Sequence, residues 1–135
     1  MHIRLHVRSE GITSTVEVEP IGGDHFMLMD NYLFTCFLTR GTEIKALYQQ
    51  DGSYEFVAVT KPSELNTRRF FLSPKYSESD YRMLGNELVK HGGYWQVDFG
   101  GFLTINIPKD LPYDVDAVMS DLGIQLAEVG DDIGS

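Results

Sequence analysis

A single cysteine, Cys36, stands among the 135 residues. One thiol closes no intramolecular disulfide, so nothing in the sequence calls for an oxidising compartment. Long apolar runs are missing too: none approaches the roughly 18 residues that span a bilayer. The first residues, Met1-His2-Ile3-Arg4-Leu5-His6-Val7-Arg8, alternate polar and apolar side chains and form no continuous secretion segment. The expected setting is cytoplasmic, away from membranes. Positive charge is also scarce, with eleven Lys and Arg against twenty Asp and Glu, a formal net charge of −9. A field of that sign repels phosphate backbones and anionic lipid, so neither nucleic acid nor a membrane surface is an expected partner.

The negative charge is unevenly spread along the chain. Residues 1–75 hold nine acids and eight bases, a balance of −1; residues 76–135 hold eleven acids and three bases, a balance of −8. Such a half attracts a basic protein, although a solvated acidic surface is an equally ordinary reading.

What is present reads as one folded chain. Apolar residues make up 42% of it, well above the disordered regime. Ile3, Leu5 and Val7 alternate with His2, Arg4, His6 and Arg8, the period-2 pattern of a half-buried strand. Thr13–Glu19 continues the alternation with Val16 and Val18, and Gly22-Gly23-Asp24 turns it into a second arm over His25–Asp30. Tyr32–Leu38 is almost wholly apolar and reads as a buried strand. Asp51-Gly52 between Glu43–Gln49 and Tyr54–Thr60 is the strongest short hairpin signal, and Pro62 ends that ladder.

After residue 66 the period changes. Thr67–Leu72 reads as a strand. Ser77-Glu78-Ser79-Asp80 resembles a helix N-cap with acids in the first turn. Tyr81, Leu84, Leu88 and Val89 mark one helical face. Gly85 on that face either costs about 1 kcal/mol relative to alanine or lets the helix approach a sheet closely. Tyr94–Phe99 and Phe102–Ile107 form a hairpin across Gly100-Gly101. Asp114 caps a short helix with Val115, Val118, Met119 and Leu122 on its face, stopped by Gly123. Ile124–Val129 reads as a last strand and residues 130–135 as a frayed tail.

The expected class is therefore α+β, one chain in two lobes. Residues 1–66 form a small β-barrel-like or curled antiparallel sheet. Residues 67–129 follow the β-α-β-β-α-β order of a ferredoxin-like unit.

Several of these features together resemble the bacterial family called domain of unknown function 4265. The resemblance runs through Val16-Glu17-Val18-Glu19-Pro20-Ile21-Gly22-Gly23-Asp24, Asn31-Tyr32-Leu33-Phe34, Arg40-Gly41-Thr42-Glu43-Ile44-Lys45-Ala46, the Asp51-Gly52 turn, and Asn106-Ile107-Pro108 before the Asp114–Leu122 helix. It covers roughly residues 13–122 and implies a fold and a bacterial origin, but no activity.

No catalytic constellation emerges, and an enzyme is not expected. Cys36 with His25 or His91 is the only thiol–imidazole pairing to consider, and Cys36 sits in a segment that reads as buried, with no cationic cluster around it in sequence. His2, His6, His25 and His91 show no helical His-x-x-x-His and have no second cysteine, so no metal site is expected. Asp114-x-Asp116 lacks the rest of a calcium loop. The glycine pairs at 22–23, 92–93 and 100–101 are turns and not phosphate cradles, and no cofactor is expected. The leading expectation is a non-catalytic protein-binding protein, of immunity or antitoxin type, facing a basic nuclease-like toxin. Its contact residues would be Asp98, Asp110, Asp114, Asp116 and Asp121 with the aromatic anchors Tyr94 and Tyr113. The alternative is a small-molecule-binding or regulatory module, recognisable by an apolar pocket with a few converging polar groups.

Overall fold

A computed structural model describes residues 1–32, 38–98, 101–111 and 113–129. The chain divides into two compact units, one over Met1–Glu64 and one over Leu65–Val129.

In the first unit the alternating segments become strands β1 (His2–Val7), β2 (Ile12–Gly22), β3 (His25–Leu28), β4 (Glu43–Tyr48) and β5 (Tyr54–Lys61). They close into a five-stranded barrel in that order. Neighbours along the chain run antiparallel, and β1 meets β5 in parallel through Leu5–Tyr54 and His6–Glu55 to complete the ring. Alternation sends Ile3, Leu5, Val7, Val16, Val18, Phe26, Leu28, Ile44 and Ala46 inward, where Tyr54 and Phe56 pack against them. The Asp51-Gly52 turn is held locally. The Asp51 carboxylate accepts from Ser53 N–H at 2.9 Å and Ser53 Oγ at 2.6 Å, which keeps its carboxyl below the usual range. Gly52 takes φ +87°, a conformation that other residues seldom adopt. Of the strand expected over Tyr32–Leu38, only Tyr32 and Leu38 lie within the described residues, and both are buried.

The second unit begins at Leu65, two residues before the expected division. It comprises β6 (Leu65–Phe71), α1 (Glu78–Lys90), β7 (Tyr94–Asp98), β8 (Phe102–Pro108) and α2 (Val115–Asp121). The sheet order is β6-β8-β7, with β8 antiparallel to both neighbours. Leu103, Ile105 and Ile107 on β8 join Phe70, Leu84, Leu88, Val115, Met119 and Ile124 in the core. Thr104 and Asn106, on the other face of β8, are fully buried as well.

Helix α1 starts where its capping residues indicate. Ser77 accepts from the Asp80 N–H and the Asp80 carboxylate accepts from the Ser77 N–H, a reciprocal capping box. Its buried face is Tyr81, Leu84, Gly85 and Leu88, whereas Val89, expected on that face, is 56% exposed. The face is centred on Gly85 because Trp95 of β7 packs over that residue, turning Val89 outward. Helix α2 is capped by Asp114, whose Oδ1 accepts from Ala117 N–H at 3.0 Å.

Two expectations need correction. The last strand, expected over Ile124–Val129, is reduced to one antiparallel bridge between Glu128 and Phe70. Ile124 N–H is committed to Met119 O at 2.8 Å and Gln125 N–H to Tyr76 Oη at 2.8 Å. Only the end of the segment is left to pair, through Phe71 N–H to Ala127 O and Val129 N–H to Arg69 O. The charge is also not concentrated in the second unit. With the boundary after Glu64, Arg68, Arg69 and Lys75 fall on its side. Residues 65–129 then hold nine acids and six bases, a balance of −3, against −4 for residues 1–64 with nine acids and five bases. The remaining −2 lies on Asp131 and Asp132, in the tail expected to fray, which is outside the described residues. Among the described residues no helix is long and apolar enough to cross a membrane.

Candidate functional site

Arg68 on β6 is the hinge point of the second unit's polar surface. Its Nη1 and Nη2 donate to Asp116 Oδ2 and Oδ1, each at 3.0 Å, while Nε and Nη2 donate to Glu128 Oε2 and Oε1 at 2.9 and 3.0 Å. A planar guanidinium matches two carboxylates in this forked way, and a lysine would not. The first turn of α2 and the Glu128 bridge are thereby tied to one strand. Hydrogen bonds from Arg68 hold the carboxyls of Asp116 and Glu128 below their usual range.

These are largely exposed groups, so their contribution is modest. Arg68→Met is expected to cost about 1 kcal/mol near neutral pH. Both folded carboxyls have lowered pKa values, so their contribution is present above the unfolded value of about 4 and is lost as pH falls through the folded values. Urea unfolding of wild type and Arg68→Met should differ near pH 7 and converge as pH falls well below the unfolded carboxylate value of about 4. A constant difference across that range would show that charge pairing is not what Arg68 contributes.

Beside this network a cleft of about 500 Å³ opens between β6, the segment leading into α1, and α2 with its C-terminal extension. Phe70, Met119, Ile124 and Leu126 form its apolar wall, and Lys75, Tyr76, Ser120 and Gln125 supply polar groups. Tyr76 is well fixed. Its hydroxyl accepts from Gln125 N–H, and its ring meets Tyr81 edge to face at 6.2 Å. The Lys75 ammonium lies 5.6 Å from the centre of the Tyr76 ring, and among the described residues it has no carboxylate partner. Arg68 with its two acids carries a net −1, and Lys75 stands apart from that network as a cation with no ion pair of its own among the described residues.

The residues expected to contact a basic partner are scattered among separate roles. Asp116 belongs to Arg68, and Asp114 is the cap of α2. Tyr113 stacks on His91, with ring centres 4.5 Å apart. The Tyr113 hydroxyl is buried with no hydrogen-bond partner among the described residues; burial first, then the Glu87 charge, pushes its pKa up. Tyr113, Asp114 and Asp116 do line a second hollow of about 370 Å³, together with Arg68. Tyr94 and Asp98 are not part of it. They occupy opposite ends of β7, on the far side of β8 from β6, with Tyr94 41% exposed and Asp98 accepting from Gln96 Nε2 at 2.8 Å. Asp110 and Asp121 are exposed.

The thiol–imidazole pairing lies outside the described residues because Cys36 does. His91 directs Nδ1 to Glu87 O at 2.9 Å, and His25 pairs with Lys45 across β3 and β4. On the barrel, His6 Nδ1 meets Thr13 Oγ1 at 2.7 Å, and Nε2 is 3.9 Å from Glu55, which Arg8 also approaches at 3.2 Å. His6 and Thr13 are register partners, so this is a polar cross-strand tie.

Sequence reasoning missed the Arg68 network because its acids lie 48 and 60 residues away. No local pattern announces a pairing at that separation.

No family model matches the chain, and no curated protein matches it. Among solved structures, a hypothetical protein from Neisseria gonorrhoeae is similar over all of this chain and 97% of its own, at 16% identity and a TM-score of 0.67. The two chains share a fold. At that identity the likeness extends to architecture alone, and the arrangement of side chains carries the functional argument.

Proposed function

We propose that the protein is a non-catalytic binding module whose second unit takes a small amphipathic anion in the cleft beside Arg68. The observation that carries this reading is Lys75, a cation without a carboxylate partner among the described residues, at the rim of a cleft with an apolar wall. A volume of about 500 Å³ lies within the range of small-molecule sites, and its lining, more polar than apolar, suits a charged head group carrying a small apolar body. A carboxylate or phosphate at Lys75 with an apolar body against Leu126 and Phe70 uses both features. The β6-α1-β7-β8-α2 order, with Glu128 bridging β6 on its free edge, supports reading this unit as ferredoxin-like with its last strand cut to one bridge. Membership in the resembling bacterial family, and a cytoplasmic setting, are part of the same proposal.

Thermal shift against a panel of small aromatic and aliphatic carboxylates and phosphates should find at least one stabilising compound. Lys75→Ala removes an exposed side chain and should abolish that shift while leaving the unliganded melting temperature near wild type. A panel without a stabiliser, or a shift that survives in Lys75→Ala, would count against the cleft.

The second reading, an immunity or antitoxin protein for a basic toxin, is favoured by the net charge of −9 and by the exposed Tyr94. Charge of this kind chiefly speeds association and sets specificity. Co-expression with the product of a neighbouring gene should give a complex at low salt that Asp98→Asn and Tyr94→Ala weaken.

A further inference from the structure

We propose that the first unit holds a divalent transition-metal ion between His2, Glu17 and Asp30. Each of these side chains offers one ligand atom, and the three atoms lie within 4.8 Å of one another. They come from three places that the barrel brings together. His2 and Glu17 are register partners on β1 and β2, so their side chains leave the same face. Asp30 follows β3, whose Leu28 pairs with Val18, and its Oδ2 accepts from Glu17 N–H at 3.3 Å. Met29 N–H donates to Glu17 O at 2.9 Å, which fixes the approach of that segment to β2.

The cluster differs from the solvated acids elsewhere on the surface. Glu17 and Asp30 are both half-buried, they face each other, and among the described residues neither has a Lys or Arg within ion-pair distance. The nearby Arg40 guanidinium donates instead to Met29 O. Adjacent carboxylates of this sort favour a cation between them, and the imidazole selects which kind. One nitrogen and two oxygens form a borderline ligand set, suited to Zn²⁺ or Mn²⁺ and poor for Ca²⁺ or Mg²⁺, which take oxygen. Ligands about 2.1 Å from an ion stand roughly 3.4 Å apart in a tetrahedral arrangement. The three ligand atoms have to close from within 4.8 Å to that spacing by side-chain rotation when an ion binds. Three protein ligands leave a coordination position open to water or to a ligand atom from another molecule.

Calorimetric titration of the untagged protein with ZnCl₂, and paramagnetic resonance of MnCl₂, test the site. The expected result is one ion per chain, Zn²⁺ bound more tightly than Mn²⁺, in keeping with the general order of affinities. Glu17→Gln, Asp30→Asn and His2→Gln should each weaken binding by about tenfold or more. Glu10→Gln, in the β1–β2 turn, should leave it unchanged. His2 is exposed, so His2→Gln keeps the test usable even where a carboxylate variant unfolds the barrel. Absence of binding by either ion overturns the proposal. So does binding that persists in all three variants, or Zn²⁺ binding that Cys36→Ser removes, since the ion then sits on the thiol.

Discussion

Gly85→Ala is expected to destabilise the second unit by about 2 kcal/mol, although alanine is the better helix former by about 1 kcal/mol. A Cβ at residue 85 would stand 2.2 Å from Trp95 Cε2 and 2.5 Å from both Cδ2 and Nε1. These atoms belong to the bicyclic body of the indole, so relief requires the whole ring to swing or α1 to lift from β7. Either movement opens the core that Leu84, Leu88 and Ile105 share with Trp95. Gly85→Val, with two more carbons and a stiff χ1, should cost more and leave little folded second unit. Trp95 is the sole tryptophan, so its emission reports the displacement directly as a red shift. The decisive comparison is a double-mutant cycle. In a Trp95→Leu background the obstruction is gone, and Gly85→Ala should become neutral or stabilising, a reversal of sign between contacting residues. If Gly85→Ala costs the same in both backgrounds, contact with the indole is not the reason for the glycine.

That glycine marks how far the sequence could be read. Local chemistry was legible where a residue's role is settled by near neighbours. Ile3, Leu5 and Val7 point inward because alternation decides it, and Ser77 and Asp114 cap helices because their partners are three residues on. The two readings of Gly85 could not be separated, because the obstacle is a side chain ten residues away on another element. The same limit hid the Arg68 network and brought His2, Glu17 and Asp30 together unannounced, since strand register is set by the closed barrel and not by spacing along the chain. Charge was misplaced for a related reason. The change of period near residue 66 was visible, but the charge was divided at 75, and three bases between those points belong to the second unit. An acidic half became two units of similar charge, so a binding site in the second unit rests on its cleft more than on its field.

The barrel's stability is expected to fall steeply between about pH 10 and about pH 12, and Tyr32→Phe should abolish that fall. Tyr32 is 2% exposed within the barrel core, and its hydroxyl donates to Leu5 O at 3.1 Å. Burial pushes its pKa up from 10.0 to about 12, because the phenolate loses its hydration and gains no cation. In the unfolded chain the phenol ionises near 10. Below that pH both states hold the proton and the contribution is full. Above it the unfolded state releases the proton first, so the folded state loses about 1.4 kcal/mol per pH unit until its own phenol ionises, about 2–3 kcal/mol in all. Near neutral pH the same substitution removes one buried hydrogen bond and should cost about 1 kcal/mol. The two effects have opposite signs, so the ranking of wild type and Tyr32→Phe should invert between about pH 8 and about pH 12. Tyrosines with equal pKa values in both states drop out of the difference. Tyr32→Ala, which empties a fully packed site, should cost about 3–5 kcal/mol near neutral pH and leave the barrel largely unfolded. Urea unfolding followed by circular dichroism gives all three values, and parallel pH profiles for wild type and Tyr32→Phe would rule out the buried phenol as the source of alkaline instability.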